Sequence, residues 1–294
     1  MKIAGFSFIR NAITNDYPIV EAISSILPIC DEFVIAVGKS DDDTLALIRN
    51  IRSPKIKIIE TVWEDQLREG GTVFAKETDK AFQAISADTD WAFYIQGDEC
   101  IHENDLPLIK QEMATTLHNP AIEGLLLKYN HFYGSYDYLA ESRKWYRREI
   151  RIVKRKLNIS SYKDAQGFRI DGRKIHVKLI NAYVNHYGWV KPPKGLVEKG
   201  QNFTTFYNKD FVKTEVPADV TFDYGNADQL KHFKGTHPQV MQKRIAKLNW
   251  TFDKDLTKAK STHTFRQQLL QKIFEYTGIR IGEHKNYILK ATYK

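Results

Sequence analysis

A run of strand-forming apolar residues that stops abruptly at acidic residues constrains the fold most strongly. Residues 91–95 read WAFYI, and an unbroken apolar run of this kind is typical of a strand buried on both faces of a parallel sheet. The next four residues are QGDE. Because open α/β sheets bind ligands where their parallel strands end, the stretch predicts an active site around Asp98. Gly97 and Asp98 are also residue types that form simple turns, so this alternative stays open.

The residues before this run alternate between strand and helix patterns. Apolar, strand-like segments lie at Ile3–Ile9, Phe33–Val37 and Lys55–Thr61. Between them, apolar residues repeat with helical spacing, first after Pro18 and again after Thr44. Such alternation predicts a parallel, doubly wound sheet.

The pattern changes after Glu103. Asn104 is expected to cap a helix, and residues 122–129 read as a strand. Residues 149–154 alternate charged and apolar side chains, which predicts a half-buried antiparallel strand. Two short strands are expected at His176–Ile180 and Ala182–Tyr187. The fold class predicted is therefore α/β, with a mixed sheet flanked by helices.

The last third of the chain is basic and predicted to be mainly helical. Residues 191–195 (KPPKG) read as a hinge. A helix is expected from Pro238 to Phe252, and a last amphipathic helix after Phe265 should end at Gly278. We expect a domain at residues 1–195, with halves at 1–103 and 104–195, and a helical extension at 196–294.

Composition narrows the class of protein. The chain has 294 residues, 42% hydrophobic and 27% charged, with a formal net charge of +8. The charge favours an anionic partner, which could be a phosphorylated small molecule, an acidic membrane surface or nucleic acid. The sequence contains no recognisable nucleic-acid-binding motif, so a nucleic-acid partner is not expected. The sequence shows no signal peptide and no bilayer-length apolar run, and Cys30 and Cys100 lack metal or disulfide spacing. A cytoplasmic location is expected.

Several short motifs together resemble the family 2 glycosyltransferases of the GT-A fold. The motifs are Arg10-Asn11 after the first strand, Gly38–Thr44 after the second, Ile95–Glu99, the basic strand Arg151–Lys154 and His186–Gly188. Their order resembles that of the family over roughly residues 1–195. Two departures stand out: Gln96 replaces the first aspartate of the acidic motif, and Val37-Gly38 replace an acid that contacts the nucleotide base.

The resemblance implies a nucleotide-sugar donor site. The residues expected to line it are Arg10, Asn11, Lys39, Asp41, Trp63, Arg68, Gln96, Gly97 and Asp98. A departing diphosphate builds up negative charge, so a divalent metal or clustered Lys and Arg must stabilise it. Asp98 is the expected ligand for Mn²⁺ or Mg²⁺. Trp63 could stack on a base or sugar, or simply fill the sheet edge.

Four further side chains are candidates for roles at the site. His186 would favour Mn²⁺ if it ligates, or is a buried, hydrogen-bonded histidine. Glu99 is expected to hold the loop or a sugar hydroxyl. If transfer inverts the anomeric centre, a general base must take the acceptor proton. Asp164 is the first candidate, although it could be a turn aspartate, and Glu141 is the second.

The function expected is an inverting, metal-dependent glycosyltransferase. Its acceptor would be a surface-polysaccharide or lipid-linked glycan, with peripheral contact at the inner face of the membrane. Sugar nucleotidyl transfer is an alternative, but Ile3–Asn11 lacks the glycine-rich basic loop of those enzymes. A non-catalytic protein that binds anionic lipid or nucleic acid is the other alternative, which Gln96 keeps open.

Overall fold

The computed structural model describes residues 1–64, 71–205, 207–208, 210–222, 230–252 and 264–293. Its strands before the acidic turn are β1 (Ile3–Ile9), β2 (Glu32–Gly38), β3 (Ile56–Thr61) and β4 (Trp91–Tyr94). Helices α1 (Ile19–Ile26), α2 (Thr44–Arg49) and α3 (Thr72–Gln83) connect them.

The first half forms the predicted parallel sheet. β1 lies between β2 and β4, β3 pairs with β2, and all three pairings are parallel. The sheet is buried on both faces, with α1 on one side and α3 on the other. Trp91, Phe93 and Ile95 point into one core and Ala92 and Tyr94 into the other, because successive side chains of a strand face opposite sides.

The second half extends the sheet in mixed directions. Its elements are β5 (Glu99–Ile101), α4 (Leu106–Thr116), β6 (Gly124–Tyr133), β7 (Tyr138–Ala140), β8 (Arg148–Lys154) and β12 (His176–Trp189). β8 is antiparallel to both β4 and β6, whereas β12 is parallel to β6 and antiparallel to β5. The predicted α/β class with a mixed, helix-flanked sheet is confirmed.

Three local predictions in this half need correction. β8 is more buried than a half-buried strand, because Arg151 is internal and paired. The two short strands are one long strand, β12, whose register shifts between Leu179 and Tyr183 absorb the break in the pattern. The start of the 103–105 turn before α4 is capped by His102, whose side chain accepts from the backbone N of Asn104.

A small separate sheet covers one side of the second half. It consists of β9 (Ile159–Tyr162), β10 (Gly167–Ile170) and β11 (Arg173–Lys174). The turn between β9 and β10 contains Lys163 and Ala165 with positive φ of 55° and 61°, which fixes the position of Asp164 between them.

The last third contributes both helices and strands. Its elements are α5 (Pro193–Thr205), β13 (Leu230–His232), α6 (Gln242–Ile245), α7 (Phe265–Thr277) and β14 (Ile288–Thr292). The predicted hinge is instead the start of α5, since Pro193 is its first residue. The helix expected from Pro238 is reduced to short turns around α6, while α7 ends at Gly278 as predicted.

β14 returns to the main sheet and pairs in parallel with β12. Cys30 and Cys100 are free and buried. In the described ranges, no helix has the length and apolar character needed to cross a bilayer.

Candidate active site

Three loops leave the sheet side by side where β1, β2 and β4 end. The parallel register pairs Ile9 with Val37 and Phe6 with Tyr94. Parallel strands bring their carboxyl ends to one edge of the sheet. The segments that follow these strands, residues 10–17, 39–43 and 95–98, therefore share that edge.

Asn11 and Asp41 bind each other across the first two loops. The Asn11 side-chain amide donates to Asp41 Oδ2 at 3.1 Å, and the Asp41 backbone N donates to Asn11 Oδ1 at 2.9 Å. Asn11 has a positive φ of 51°, which asparagine tolerates better than most residues. Beside this pair the Lys39 side chain is exposed. Arg68 lies outside the described residues.

Trp63 packs against the end of β2. Its indole lies directly on Gly38, where a Cβ would overlap the ring. The ring centroids of Phe8 and Phe74 are 5.9 and 5.7 Å from that of Trp63, and the Arg10 guanidinium carbon lies 5.5 Å from its ring centroid. Trp63 thus fills the sheet edge and supports Arg10 at the rim.

The acidic turn after β4 is closed by its own hydrogen bonds. The Gln96 backbone N donates to Glu99 Oε2 at 3.1 Å, and the Glu99 backbone N donates to the Gln96 carbonyl at 3.1 Å. A Cβ on Gly97 would come within 2.9 Å of Ile9 Cδ1, so a larger residue there would displace the end of β1. The Asp98 carbonyl accepts from the Tyr187 backbone N at 2.8 Å, which ties the turn to β12.

The Asp98 carboxylate is the electrostatic centre of this edge. Its Oδ2 lies 3.5 Å from His186 Nε2 and 3.4 Å from Lys199 Nζ, and only 14% of the side chain is exposed. Burial favours the neutral carboxyl, but His186 and Lys199 together outweigh it and hold the pKa of Asp98 well below its usual range. Asp98 is therefore an anion at neutral pH with two nitrogen groups beside it.

A second buried histidine orients His186. His131 Nε2 lies 2.6 Å from the Tyr146 carbonyl, and His131 Nδ1 lies 3.2 Å from His186 Nδ1. Since a carbonyl only accepts, His131 carries its proton on Nε2. Burial and the neighbouring His186 lower the pKa of His131 well below its ordinary value, so its Nδ1 accepts. His186 must then donate from Nδ1, which turns its Nε2 towards Asp98.

Gly188 marks the point where three side chains converge. A Cβ on Gly188 would overlap Asp98 Oδ2 and would lie 2.7 Å from Lys199 Nζ and 2.9 Å from His186 Nε2. The Lys199 ammonium also donates to the Gly188 carbonyl at 2.7 Å. Only glycine leaves room for this arrangement.

The same geometry bears on the expected metal ion. Divalent ions need oxygen or nitrogen ligands at about 2.0 to 2.6 Å, and Asp98 and His186 offer two. The space where they converge is shared by the Lys199 ammonium. Among the residues that the structure describes, no group of three or more His, Cys, Asp or Glu could hold a metal. As arranged, these residues do not fit a divalent ion, which would have to displace Lys199.

Glu99 faces inward, where Arg151 holds it. The two are fully buried, with Arg151 Nε and Nη2 at 2.9 and 2.8 Å from the Glu99 carboxylate. Tyr129 donates its hydroxyl to Glu99 Oε1 at 2.6 Å. The Arg151 guanidinium lies 5.2 and 5.4 Å from the ring centroids of Tyr94 and Tyr129. This network braces the acidic turn from beneath.

A second acidic corner lies at Asp164 and Glu149. The Tyr207 hydroxyl donates to Asp164 Oδ2 at 2.9 Å. The other oxygen, Oδ1, is buried and accepts no hydrogen bond from the described part of the chain. Burial, opposed by Arg151 and reinforced by Glu99 and Asp164, raises the pKa of Glu149 to about 8. One corner of the site thus holds a carboxyl that is mostly neutral at pH 7.

Glu141 lies apart from both corners. Its side chain is 49% exposed and lies 3.4 Å from Lys231, and its backbone carbonyl accepts from Arg280. No described contact joins it to Asp98 or Asp164.

Three of these residues went unpredicted: Lys199, His131 and Glu149. Lys199 is one of many lysines in a basic region, and nothing in the sequence distinguishes it. Glu149 did carry a signal, because it lies two residues before Arg151 in a segment predicted to alternate, and strict alternation would give both one face, although the register of the strand shifts at Arg151 in the structure. Two charged residues on the inward face of a strand indicate an internal polar network.

No protein-family model matches the chain, and no curated protein matches it. Several solved structures are similar to it at low identity. S. aureus TarS is 16% identical with a TM-score of 0.42, over 70% of this chain and 39% of TarS; TarS 1-349 has been solved with UDP-GlcNAc. This chain thus spans well under half the length of TarS.

Two other structures are of interest. Glucosyl-3-phosphoglycerate synthase from Mycobacterium tuberculosis, solved with Mn²⁺, UDP and glucosyl-3-phosphoglycerate, is 19% identical over 45% of each chain, with a TM-score of 0.29. The 4-diphosphocytidyl-2C-methyl-D-erythritol synthase of Anaerococcus prevotii is 11% identical over 70% of this chain and 94% of that one, with a TM-score of 0.37. The similar structures include glycosyltransferases, the class that the sequence motifs resemble. At these identities the function has to be argued from this chain's own residues.

Proposed function

We propose that this chain is a glycosyltransferase that moves a sugar from a nucleotide-sugar donor to an acceptor hydroxyl. One observation carries the proposal: the motif segments 10–11, 38–44 and 95–99 lie at one edge of the sheet, around the ionised Asp98. An edge of this kind is where α/β sheets bind nucleotides.

The charges at this edge suit a diphosphate. When the bond between the sugar C1 and the phosphate oxygen breaks, its electron pair stays on the diphosphate, and nearby cations stabilise that charge. Arg10 at the rim, the exposed Lys39 and Lys199 beside Asp98 are available for this role. We assign Arg10, Asn11, Lys39, Asp41 and Trp63 to the donor side, with Asn11 and Asp41 acting by holding the loops together.

The sequence led us to expect that Mn²⁺ or Mg²⁺ assists this step through Asp98 and His186. When bound, such an ion would act as a Lewis acid on the diphosphate oxygens. Its fit depends on movement of Lys199, so the effect of Mn²⁺ on nucleotide binding tests metal dependence directly.

We assign the general base to Asp164. In an inverting transfer, the acceptor oxygen attacks C1 while a carboxylate takes the acceptor proton. Tyr207 engages Oδ2, and within the described residues nothing donates to the buried Oδ1, so Oδ1 would take that proton once an acceptor reaches it. Glu141, which is half-exposed and lies near Lys231, is the second candidate.

The two alternatives predict different products. A sugar nucleotidyltransferase would release pyrophosphate from a nucleoside triphosphate, yet the loop at residues 10–17 (RNAITNDY) contains no glycine to wrap phosphates. A non-catalytic binding protein would release nothing. A glycosyltransferase releases a nucleoside diphosphate.

Donor hydrolysis is the direct test. The protein is incubated with UDP-, GDP- and dTDP-sugars, with and without Mn²⁺, and release of nucleoside diphosphate is followed against the Asp98→Asn variant. Turnover of one donor that fails in the variant supports the proposal. If no nucleotide sugar is hydrolysed and no nucleoside diphosphate raises the melting temperature, the proposal is wrong.

For the acceptor, we propose a surface-polysaccharide or lipid-linked glycan met at the inner face of the membrane. Helix α7 and the turn after it expose large apolar side chains, including Phe265 (83%), Tyr276 (89%) and Ile279 (62%). Together with the positive net charge, this surface suits peripheral contact with anionic lipid.

A further inference from the structure

We infer that Lys199 is the resident cation of the donor site, so that its ammonium binds the diphosphate without a divalent metal ion. The inference rests on the proposed function and adds to it the identity of the charge that stabilises the leaving group. It departs from the metal dependence expected from the sequence.

The first support is the place of the ammonium. Lys199 Nζ lies 3.4 Å from Asp98 Oδ2 and 2.7 Å from the Gly188 carbonyl. It lies 5.2 and 5.9 Å from the ring centroids of Trp189 and Tyr17, which attract cations through their π faces. A long side chain with four such neighbours is held in place, and 16% of it remains exposed.

The second support is the number of donors that the ammonium retains. A lysine ammonium carries three N–H groups. Within the described ranges, only the Asp98 carboxylate and the Gly188 carbonyl accept from it. One N–H is left to reach a phosphate oxygen, and it is fixed in direction by the other two.

The third support is competition for the same space. An ion bound by Asp98 Oδ2 and His186 Nε2 would lie over Gly188, where the Lys199 ammonium is already within 2.7 Å of the glycine's Cβ position. Two cations at that separation repel each other strongly in a mostly buried site. Gln96, in the same turn, is an amide and supplies no further carboxylate for a metal.

The fourth support is a basic cavity beside the ammonium. A space of about 250 Å³ lies between the loop after β1 and the start of α5. Lys191, Lys194 and Lys199 line it together with Asp16 and Glu198. The two acids have their own partners, since Arg244 pairs with Asp16 and Lys194 with Glu198.

Lys191 supplies a second, structural cation there. Its Nζ is buried and donates to the carbonyls of Asn15 and Asp16 at 2.7 Å each. Lys191 therefore fixes the loop after β1, while Lys199 faces Asp98.

The reaction balances without a metal. The acceptor oxygen forms a bond to C1 as the bond from C1 to the phosphate oxygen breaks. Its electron pair leaves with the diphosphate, whose new charge Lys199 stabilises by hydrogen bonding, and the acceptor proton passes to the base. Lys199 gives up no proton, so it remains the same cation through each turnover.

The test measures binding of UDP, GDP and dTDP by calorimetry, in EDTA and in Mn²⁺. We expect the wild-type protein to bind one of them about equally in both conditions. Lys199→Gln should weaken binding in EDTA by at least about tenfold, the size expected for loss of a charge-assisted hydrogen bond. Lys199→Arg, which keeps the charge, should retain more binding, and Lys213→Gln, at an exposed lysine, should match wild type.

A second arm measures Mn²⁺ alone. Removal of the ammonium frees Asp98 and His186, so Lys199→Gln should bind Mn²⁺ more tightly than wild type. Circular dichroism and melting establish that each variant is folded.

Each other result is decisive. If wild type binds nucleoside diphosphate only with Mn²⁺, or if Lys199→Gln binds as well as wild type in EDTA, the inference is overturned while the proposed function stands. If none of the three binds in either condition, both are overturned.

Discussion

Two acidic corners, both close to the buried Glu99–Arg151 pair, hold their carboxyl groups in opposite states. Asp98 lies beside His186 and Lys199, and its pKa is well below the usual range although it is buried. At the other corner, burial raises the pKa of Glu149 to about 8, with Glu99 and Asp164 adding to the effect of burial and Arg151 opposing it. Both are largely removed from water. The neighbouring charges, rather than burial alone, decide which carboxyl is ionised.

Under the proposed function, this difference would match the two halves of a transfer reaction. A permanently charged carboxylate suits the donor side, where it must hold a cation in place. Glu149, whose pKa is raised to about 8, places a mostly neutral carboxyl near Asp164, the proposed base on the acceptor side. Enzymes commonly divide acid and base roles by environments that push pKa values apart.

The largest effect is expected from Asp164→Asn. Loss of a general base should lower transfer by about a hundredfold to ten-thousandfold, while donor binding changes little because the base touches only the acceptor. Transfer rates and nucleotide affinity are measured on the same preparation. Glu141→Gln is the control, and an active Asp164→Asn beside an inactive Glu141→Gln would reverse the assignment.

Glu99→Ala should remove the brace between the two corners. It leaves the buried Arg151 charge without its partner, which typically costs about 3 to 5 kcal/mol of the free energy of unfolding. Glu60→Ala is the matched control, because Glu60 also lies 2.8 Å from an arginine but is 62% exposed, and it should cost less than about 1 kcal/mol. The free energy of unfolding is measured in urea. If Glu99→Ala and Glu60→Ala lose the same amount, the Glu99–Arg151 pair does not brace the structure.

Asp98→Asn tests the charged corner. Lys199 would lose the carboxylate that holds it over Gly188, and we expect transfer to fall by roughly a hundredfold, the order of effect seen when a preorganised electrostatic group is removed. The melting temperature should also fall, because the lowered pKa of Asp98 means that the folded state stabilises its charge, so transfer is measured well below the melting temperature and circular dichroism confirms that the variant is folded. Asp219→Asn, at an exposed site, is the control for the change in net charge. If Asp98→Asn transfers within a few-fold of wild type, Asp98 is not part of the donor site.

Glu149→Gln tests the neutral corner through pH. The folded-state pKa of about 8 exceeds the ordinary 4.5, so the folded protein holds the proton more tightly and wild type loses stability as pH rises from about 4.5 to about 8. The charged and titratable neighbours are Arg151, Glu99 and Asp164, with Tyr146 and Tyr287 also nearby. The melting temperature of Glu149→Gln should rise relative to that of wild type as the pH increases from 5.5 to 8.5. If the difference in melting temperature between the two proteins is the same at every pH in that range, the pKa of Glu149 is not raised.

The smallest effect concerns the exposed surface of α7. Replacing Phe265 and Tyr276 by serine should reduce sedimentation with anionic liposomes, and binding by wild type should weaken with salt. Removal of the whole C-terminal region would be a poor test, because β14 belongs to the main sheet. Equal sedimentation of wild type and the double variant would indicate that this surface does not contact lipid.

The sequence by itself determined the parallel half and the place of the acidic turn. Local patterns carry this information, since WAFYI is apolar throughout, Gly97 and Asp98 follow it, and the strand and helix periods alternate up to residue 91. The same patterns brought Arg10, Asn11, Asp41 and Asp98 to one edge, because parallel strands end on the same side. The long strand β12 was split in the prediction because its apolar pattern breaks where its register shifts.

The tertiary structure alone decided which charges meet. Lys199 is 101 residues from Asp98 in the chain, and Arg151 is 52 residues from Glu99. A lysine on a basic helix looks the same in sequence whether it faces water or a carboxylate. The choice between a metal ion and an ammonium at Asp98, and the pKa values of Asp98 and Glu149, depend on distances and burial that no local pattern encodes.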